Sequence, residues 1–168
     1  MKHIIISIVT LLFFAGCAQK NEIKYYLLGA NSIERGEVKK SGAVTVDSVS
    51  YLSGDKIWYL KDGLFLPYKN SFFAKTPKEF VAESLQTIGI DEKITVKITD
   101  AYQIYEGDKS SFALSVTISV GEGVLRKVKN YKVKKGELGI GAKEAAKGFE
   151  MCVLELVERA KNDFISLR

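Results

Sequence analysis

Two cysteines and one histidine are the side chains of this sequence best suited to covalent or metal chemistry. Cys17 follows the small residues Ala15 and Gly16, which come directly after an apolar run from Ile4 to Phe14. Small side chains fit the pocket of a signal peptidase, and a thiol can carry a lipid through a thioether. The run has about the length of a signal-peptide core and is short for a bilayer span. Cys17 is therefore a candidate lipidation site, and an ordinary signal peptide or an N-terminal helix with a chance cysteine is the alternative.

The N-terminal segment as a whole resembles a bacterial lipoprotein signal. Lys2 and His3 supply the short basic region that precedes the apolar core of such signals. The resemblance implies that residues 1–16 are a signal peptide, that cleavage occurs before Cys17, and that Cys17 receives fatty chains such as palmitate. A lipid anchor holds a protein to one leaflet without crossing the membrane.

The residue after the cysteine bears on the destination of such a lipoprotein. It is Ala18, which by the sorting rule of enteric-type bacteria implies the outer membrane, with the protein on the periplasmic face. Residues 17–24 would then be the lipidated cysteine and a polar tether, and residues 25–168 the periplasmic domain. That length is enough for one hydrophobic core.

Removal of the signal peptide would also remove the only histidine, His3. The remaining chain would have one free thiol, Cys152, so it could form neither an internal disulfide nor a Cys-His or Ser-His-Asp apparatus, nor a zinc site containing histidine. Carboxylate-based metal hydrolysis and a Ser-Lys pair stay open as chemistry, but no motif for either is present. We therefore expect a protein that is not an enzyme and has no cofactor or metal. Cys152 falls on an apolar helix face and is expected in the core.

The charge of the chain is mildly basic. It carries 25 Lys and Arg against 20 Asp and Glu, a net charge of +5 that falls by one if Lys2 is removed. This excess is too small to indicate a nucleic-acid partner. One basic run contains no acid, and it consists of Arg126, Lys127, Lys129, Lys132, Lys134 and Lys135. It is either a contact for anionic headgroups or an acidic partner, or a solvated edge strand on which lysines prevent aggregation.

Aromatic side chains are concentrated in one part of the sequence, which suggests a second candidate contact. They are Trp58, Tyr59, Phe65, Tyr68, Phe72 and Phe73. They could form a lipid-handling groove or a protein interface, or they could be ordinary packing of a hairpin and a helix. Gly139-Ile140-Gly141 before the last helix is expected to be a cap, since no Gly-Lys-Ser/Thr follows.

Alternation of apolar and polar residues predicts most of the strands. A short strand is expected at Tyr25–Leu28, a second at residues 43–52, and a hairpin at residues 56–68 around Asp62-Gly63. Pro67 should end the hairpin or place its second strand at a sheet edge. Three further strands, at residues 93–105, 111–120 and 124–133, predict an antiparallel meander.

Two helices are also predicted. Thr76, Pro77 and Glu79 form a capping box with proline at the first helical position, and Gly89 is expected to end that helix. A long helix is expected from Ala142 to about Ile165, with Gly148 as a weak position. The expected fold is α+β, with a mostly antiparallel sheet and two helices packed on one face.

The order of these features resembles the ABC-type transport auxiliary lipoproteins, the partners of Mce-type and Pqi-type lipid transport systems. The resemblance starts at the cysteine and the Tyr-Tyr-Leu-Leu strand after it. It continues through Tyr51-Leu52, Ile57-Trp58-Tyr59, Tyr68, Phe73-Ala74 and the capped helix. Two details differ from the family pattern: Ser50 stands where proline is common before Tyr-Leu, and Lys75-Thr76-Pro77 follows Phe73-Ala74.

The resemblance implies a non-catalytic periplasmic subunit that assists an ABC permease, its ATPase and an Mce-type substrate-binding protein in moving lipid between membranes. Only Cys17 carries a functional role over from the family; Trp58, Tyr59, Phe65, Tyr68, Arg126, Lys127 and Lys129 are candidate contacts for a partner or for lipid. Homo-oligomerisation is left open. The competing hypotheses are a binding module of another envelope machine, such as lipopolysaccharide export or secretion, and a carboxylate- or Ser/Lys-based hydrolase.

Overall fold

The computed structural model describes residues 22–28 and 41–165, so Cys17 and the expected signal peptide lie outside the described residues. The described chain forms one seven-stranded sheet. Its strands are β1 Lys24–Tyr26, β2 Val44–Ser48, β3 Lys56–Lys61, β4 Leu64–Phe73, β5 Ile94–Glu106, β6 Lys109–Val120 and β7 Lys127–Leu138. The helices are α1 Pro77–Leu85 and α2 Ala142–Ile165. No helix in the described ranges is long and apolar enough to cross a membrane.

The meander expected from the alternating sequence is present. β5, β6 and β7 pair antiparallel in chain order, and β6 presents Phe112, Leu114, Val116 and Ile118 to the core from one face. Strict alternation places every second side chain on that face, so one apolar set is buried while its polar neighbours face outwards. The third strand begins three residues later than predicted, because Gly123–Leu125 form a 3-10 turn first, and it runs on to Leu138.

The remaining strands extend the sheet on the other side of β5. The order is β1-β4-β3-β5-β6-β7, with β2 also pairing with β5. β3 and β4 form the expected antiparallel hairpin, and its turn has Asp62 and Gly63 at positive φ, as an Asp-Gly turn requires. β1 pairs parallel with β4, and both β2 and β3 pair parallel with β5. The sequence pattern did not indicate these parallel pairs.

The boundaries of β4 and β2 also differ from the sequence prediction. Pro67 does not end its strand, because β4 continues to Phe73. Proline lacks an N–H, and among the described strands only β3 pairs with β4 at Pro67, since β1 joins β4 at Ser71, Phe72 and Phe73. Of the two alternatives, Pro67 does not end the strand; β4 lies between β1 and β3, but Pro67 falls in the part of β4 that β1 does not cover. The strand expected over residues 43–52 is shorter, because Ser50–Leu52 form a 3-10 turn that buries Leu52.

Both helices pack on the same face of the sheet. α1 starts with the expected capping box: the Glu79 N–H donates to Thr76 Oγ1 at 3.3 Å, and the Thr76 N–H donates to Glu79 Oε2 at 2.8 Å. The Phe149 ring of α2 contacts Phe80 of α1 and Phe112 of β6, with ring centroids 5.9 and 5.8 Å apart. The α+β fold, with a largely antiparallel sheet and two helices on one face, is thus as predicted.

Gly148 has a structural role that its helix propensity hides. It is buried where α2 crosses the sheet, and a Cβ at this position would lie 2.6 Å from Phe112 Cβ and 2.5 Å from Leu138 Cδ1. Real Cβ atoms do not approach other carbons so closely. The missing side chain therefore lets the helix approach the sheet, and the description of Gly148 as a weak position is corrected.

Candidate functional site

The aromatic residues grouped together in the sequence divide between the two faces of the sheet. Partners in neighbouring strands point to the same face, and successive residues point to opposite faces. Tyr59 pairs with Gln103, and Gln103 pairs with Phe112, which contacts α2. Tyr59 therefore lies on the helix side and Trp58 on the side without helices. The expectation of one cluster is wrong, because the side-chain period of a strand separates neighbours.

The face without helices carries what we call the open-face cluster: Tyr51, Trp58, Phe65 and Tyr102. The Trp58 and Phe65 rings are stacked at 5.0 Å with an interplanar angle of 6°, and Tyr51 stands edge-on to both. Tyr102 meets Phe65 edge-on at 5.4 Å. Offset stacking and edge-to-face contacts of this kind stabilise a structure by more than the burial of their apolar area alone. The cluster forms a semi-exposed aromatic surface, on which Phe65 keeps 38% of its exposure.

Two hydrogen bonds fix the open-face cluster. Trp58 Nε1 donates to the Tyr51 carbonyl at 3.0 Å, and the Ala101 N–H donates to the Tyr51 hydroxyl at 3.3 Å. Burial raises the pKa of Tyr51 to about 12, so its hydroxyl is neutral at physiological pH. The Trp58 indole is held by its own chain rather than directed to solvent, which suits a rigid contact surface and offers no acid or base for catalysis.

A second group on the helix side, the tyrosine cluster, consists of Tyr59, Tyr68 and Tyr105. The Tyr59 ring lies 4.6 Å from Tyr68 and 5.2 Å from Tyr105, centroid to centroid. Tyr68 Oη is 2.5 Å from both Gln103 Oε1 and Tyr105 Oη. Desolvation, reinforced by the Tyr105 hydroxyl, raises the pKa of Tyr68 well above its usual value. Tyr68 therefore stays protonated and donates to Gln103.

Gln103 connects the tyrosine cluster to the interior. It is fully buried, and its Nε2 donates to Ser110 Oγ at 2.5 Å and to the Gly139 carbonyl at 2.9 Å. Its amide thus joins β4, β6 and the loop before α2, and both ends of the amide have partners. A buried polar network that is fully satisfied fixes one arrangement of the elements it connects. Tyr59 and Tyr68 are accordingly placed in packing around the start of α2, and the loop at Gly139 supplies that start rather than a phosphate cradle.

The basic run lies on β7, which is an edge strand of the sheet. Its side chains alternate between faces: Lys132 and Lys134 pair with Ser115 and Ala113 on the open face, and Lys135 pairs with Phe112 on the helix side. Lys134 Nζ is 2.8 Å from Glu106, and Lys135 forms an ion pair with Glu155 of α2. Acids from other elements therefore pair with Lys134 and Lys135, at the end of the run. The edge-strand interpretation describes these residues well.

The first half of the run is different and adjoins exposed apolar side chains. Arg126 donates to Ser119 Oγ at 2.8 Å, and Lys127 and Lys129 are exposed. Val124 and Leu125, immediately before them, are 104% and 86% exposed. Glu122 beside them is engaged with Lys93 at 3.0 Å. We call Val124, Leu125, Arg126, Lys127 and Lys129 the far-end patch. The sequence analysis identified the basic members of this patch and missed the apolar ones. The signal was the position of Val124 and Leu125, which follow a turn that contains two glycines and precede the basic run.

The two candidate surfaces lie at opposite ends of the sheet. β3 runs parallel to β5, so the β3–β4 turn lies at the same end as the β5–β6 turn, and the β6–β7 connection with the far-end patch lies at the other. β5 has 13 residues, which at about 3.3 Å each separate the ends by roughly 40 Å. We call the end with the β3–β4 turn the hairpin end. The open-face and tyrosine clusters lie toward it.

Cysteine and metal chemistry find little support in the described chain. Cys152 is fully buried, and its Sγ donates to the Phe112 carbonyl at 3.6 Å. Burial raises the pKa of this thiol to about 12. It is an inert core thiol, as expected. Within the described ranges no group of three or more His, Cys, Asp or Glu is arranged to hold a metal ion.

Comparison with known proteins identifies structures with a similar fold and gives no evidence on function. No family model and no curated protein matches the chain. Among solved structures, one described only as an uncharacterized protein is similar with a TM-score of 0.68 and 14% identity, over 84% of this chain and 98% of that one. A Xanthomonas campestris protein assigned to the family DUF330 is similar with a TM-score of 0.65 and 12% identity, over 84% and 95% of the two chains. At such identities the likeness shows a shared fold alone.

Proposed function

We propose that this protein is a membrane-anchored periplasmic lipoprotein and a non-catalytic auxiliary component of an ABC-type, Mce-like system that transports lipid between membranes. The observation that carries the proposal is the arrangement of its ends. β1 follows shortly after the candidate lipidation site and runs parallel to β4, in the direction that leads away from the hairpin end, and the exposed far-end patch lies at the opposite end.

The length of the tether supports an anchor held close to the fold. Seven residues lead from Cys17 to Lys24, where β1 starts, and seven residues span at most about 25 Å. β1 pairs with β4 along Ser71, Phe72 and Phe73, which ties the tether directly to the sheet. A lipid on Cys17 would therefore hold the domain close to the leaflet.

The direction of β1 supports an orientation in which the hairpin end faces the membrane. β1 is parallel to β4, and β4 begins at the β3–β4 turn. The residues just before Lys24 therefore approach from the hairpin end. With the lipid on that side, the far-end patch is presented to the periplasm, about 40 Å away by the length of β5.

The chemistry of the far-end patch suits a protein partner. Two exposed aliphatic side chains, Val124 and Leu125, are followed by Arg126, Lys127 and Lys129. An apolar centre with a charged rim is the usual composition of a docking site between proteins, and the basic rim favours an acidic partner surface. We assign this patch to the transporter component that reaches across the periplasm.

Replacement of Cys17 by Ala tests the anchor. Without the thiol no thioether can form, so we expect the variant to move from the membrane fraction to the soluble periplasmic fraction. Each buried CH₂ of an acyl chain contributes about 0.8 kcal/mol, so the loss of several chains should shift nearly all of the protein. Fractionation with immunodetection measures this, and intact mass of the wild-type protein gives the acyl chains directly. Retention of Cys17→Ala on membranes would contradict the anchor.

A photo-crosslinking residue at Val124 tests the partner. We expect it to capture an Mce-type substrate-binding protein or an ABC permease subunit in cells, identified by mass spectrometry. The matched control is the same residue at Met151, which is 37% exposed on α2, away from both ends. Capture of lipopolysaccharide-export or secretion components at position 124 would favour the alternative function instead. Capture of a second copy of this chain would indicate a homo-oligomeric contact.

A further inference from the structure

The β3–β4 hairpin carries three consecutive apolar side chains directly after its turn. Leu64, Phe65 and Leu66 are 61%, 38% and 41% exposed. Because strand neighbours alternate, Phe65 points to the open face while Leu64 and Leu66 point to the helix side. Apolar surface is thus exposed on both sides of the turn, a pattern that a docking groove on one face would not need. We call these three residues the hairpin tip.

The direction of β1 relates the hairpin tip to the start of the domain, because β1 is parallel to β4 and so runs away from the tip. In the β1–β4 register, Lys24 is opposite Ser71, seven residues along β4 from Leu64. Seven strand residues cover roughly 23 Å, and the seven tether residues from Cys17 to Lys24 reach at most about 25 Å. When the tether extends along β4, a lipid on Cys17 therefore reaches the leaflet beside the hairpin tip.

The charges at this end are balanced. The exposed Lys61 and Asp62 lie in the β3–β4 hairpin, and the exposed Asp108 and Lys109 lie in the neighbouring β5–β6 turn. Glu106, beside the second turn, is paired with Lys134, so the two turns themselves carry two positive and two negative side chains and give no net attraction to anionic headgroups. Any contact with a membrane at this end must therefore come from apolar burial, and it should depend little on salt.

We propose that the hairpin tip is a second membrane contact, which inserts Leu64, Phe65 and Leu66 into the interface of the leaflet that holds the lipid on Cys17. This inference rests on the lipid anchor of the proposed function. The tip alone is too small for stable binding, but the anchor raises its effective concentration at the surface, so weak apolar contacts suffice. Two attachment points fix the orientation of the domain where a single acylated residue would let it rotate.

Tryptophan fluorescence in vesicles tests the proposal. The chain has one tryptophan, so a Trp58→Phe background allows a single reporter at the tip, Leu64→Trp, and a matched one at the far end, Val124→Trp. Both proteins are placed on phosphatidylcholine vesicles with brominated acyl chains. They are held either by their own acyl chains or by coupling Cys17 to a maleimide lipid; Cys152 is buried and does not react. Thermal unfolding checks that each variant folds.

We expect blue-shifted emission and bromine quenching at position 64, unchanged by salt, and neither at position 124. Equal quenching at both positions, or a reporter at 64 that stays in water, would overturn the proposal. A reporter at 64 that becomes shielded only after other envelope proteins are added would overturn it in favour of a protein contact. Protein that purifies without acyl chains would contradict the proposed anchor, while the coupled protein would still report on the tip.

Discussion

Phe149→Ala should lower the free energy of unfolding by about 3–5 kcal/mol, the usual cost of truncating a buried phenylalanine. Phe149 has no exposed surface, and its ring meets three others, Phe73, Phe80 and Phe112, at centroid distances of 5.2, 5.9 and 5.8 Å. These rings come from β4, α1 and β6. The truncation therefore leaves a cavity at a point where both helices and two strands meet. Chemical denaturation of the wild type and the variant measures the difference.

The matched control for Phe149→Ala is Met151→Ala, two residues further along α2. Met151 is 37% exposed, and surface substitutions usually change stability by less than about 0.5 kcal/mol. The ring cluster would not be the centre of the core if the two variants lost stability equally. Because native domains have only about 5–15 kcal/mol in total, Phe149→Ala should also reduce the amount of folded protein in cells.

Gly148→Leu should prevent α2 from seating on the sheet. A Cβ at this position already lies 2.6 Å from Phe112 Cβ, an atom that cannot move without its strand, and the rest of a leucine side chain would have to fit in the same gap. Overpacking of a core typically costs about 1–3 kcal/mol, and this site lies in the upper part of that range or beyond it. The higher helix propensity of leucine offsets less than about 1 kcal/mol of this loss.

Lys147→Leu provides the comparison for Gly148→Leu. Lys147 is exposed on the same turn of α2, so it receives the same new side chain without contact to the sheet. We expect unfolding midpoints close to wild type for Lys147→Leu and clearly lower for Gly148→Leu. If both variants kept the wild-type midpoint, the helix would have to pack less closely than its distances indicate.

Local signals in the sequence determined several parts of the fold correctly. Asp62-Gly63 set the hairpin turn, and Thr76 with Glu79 set the start of α1. Alternation set the three-stranded meander, and helical spacing set α2 with Cys152 in the core. These features depend on backbone dihedrals, caps and side-chain periods, all of which are fixed by residues a few positions apart.

Tertiary structure alone decided which residues share a surface. Trp58 and Tyr59 are neighbours in the chain but lie on opposite faces, whereas Tyr51 from a 3-10 turn and Tyr102 from β5 join Trp58 and Phe65. The parallel pairing of β3 with β5 separates the hairpin tip from the far-end patch, and the parallel pairing of β1 with β4 sets the direction in which β1 runs along the sheet. Pairing between distant strands is chosen by burial over the whole sheet, and no short stretch of sequence records that choice.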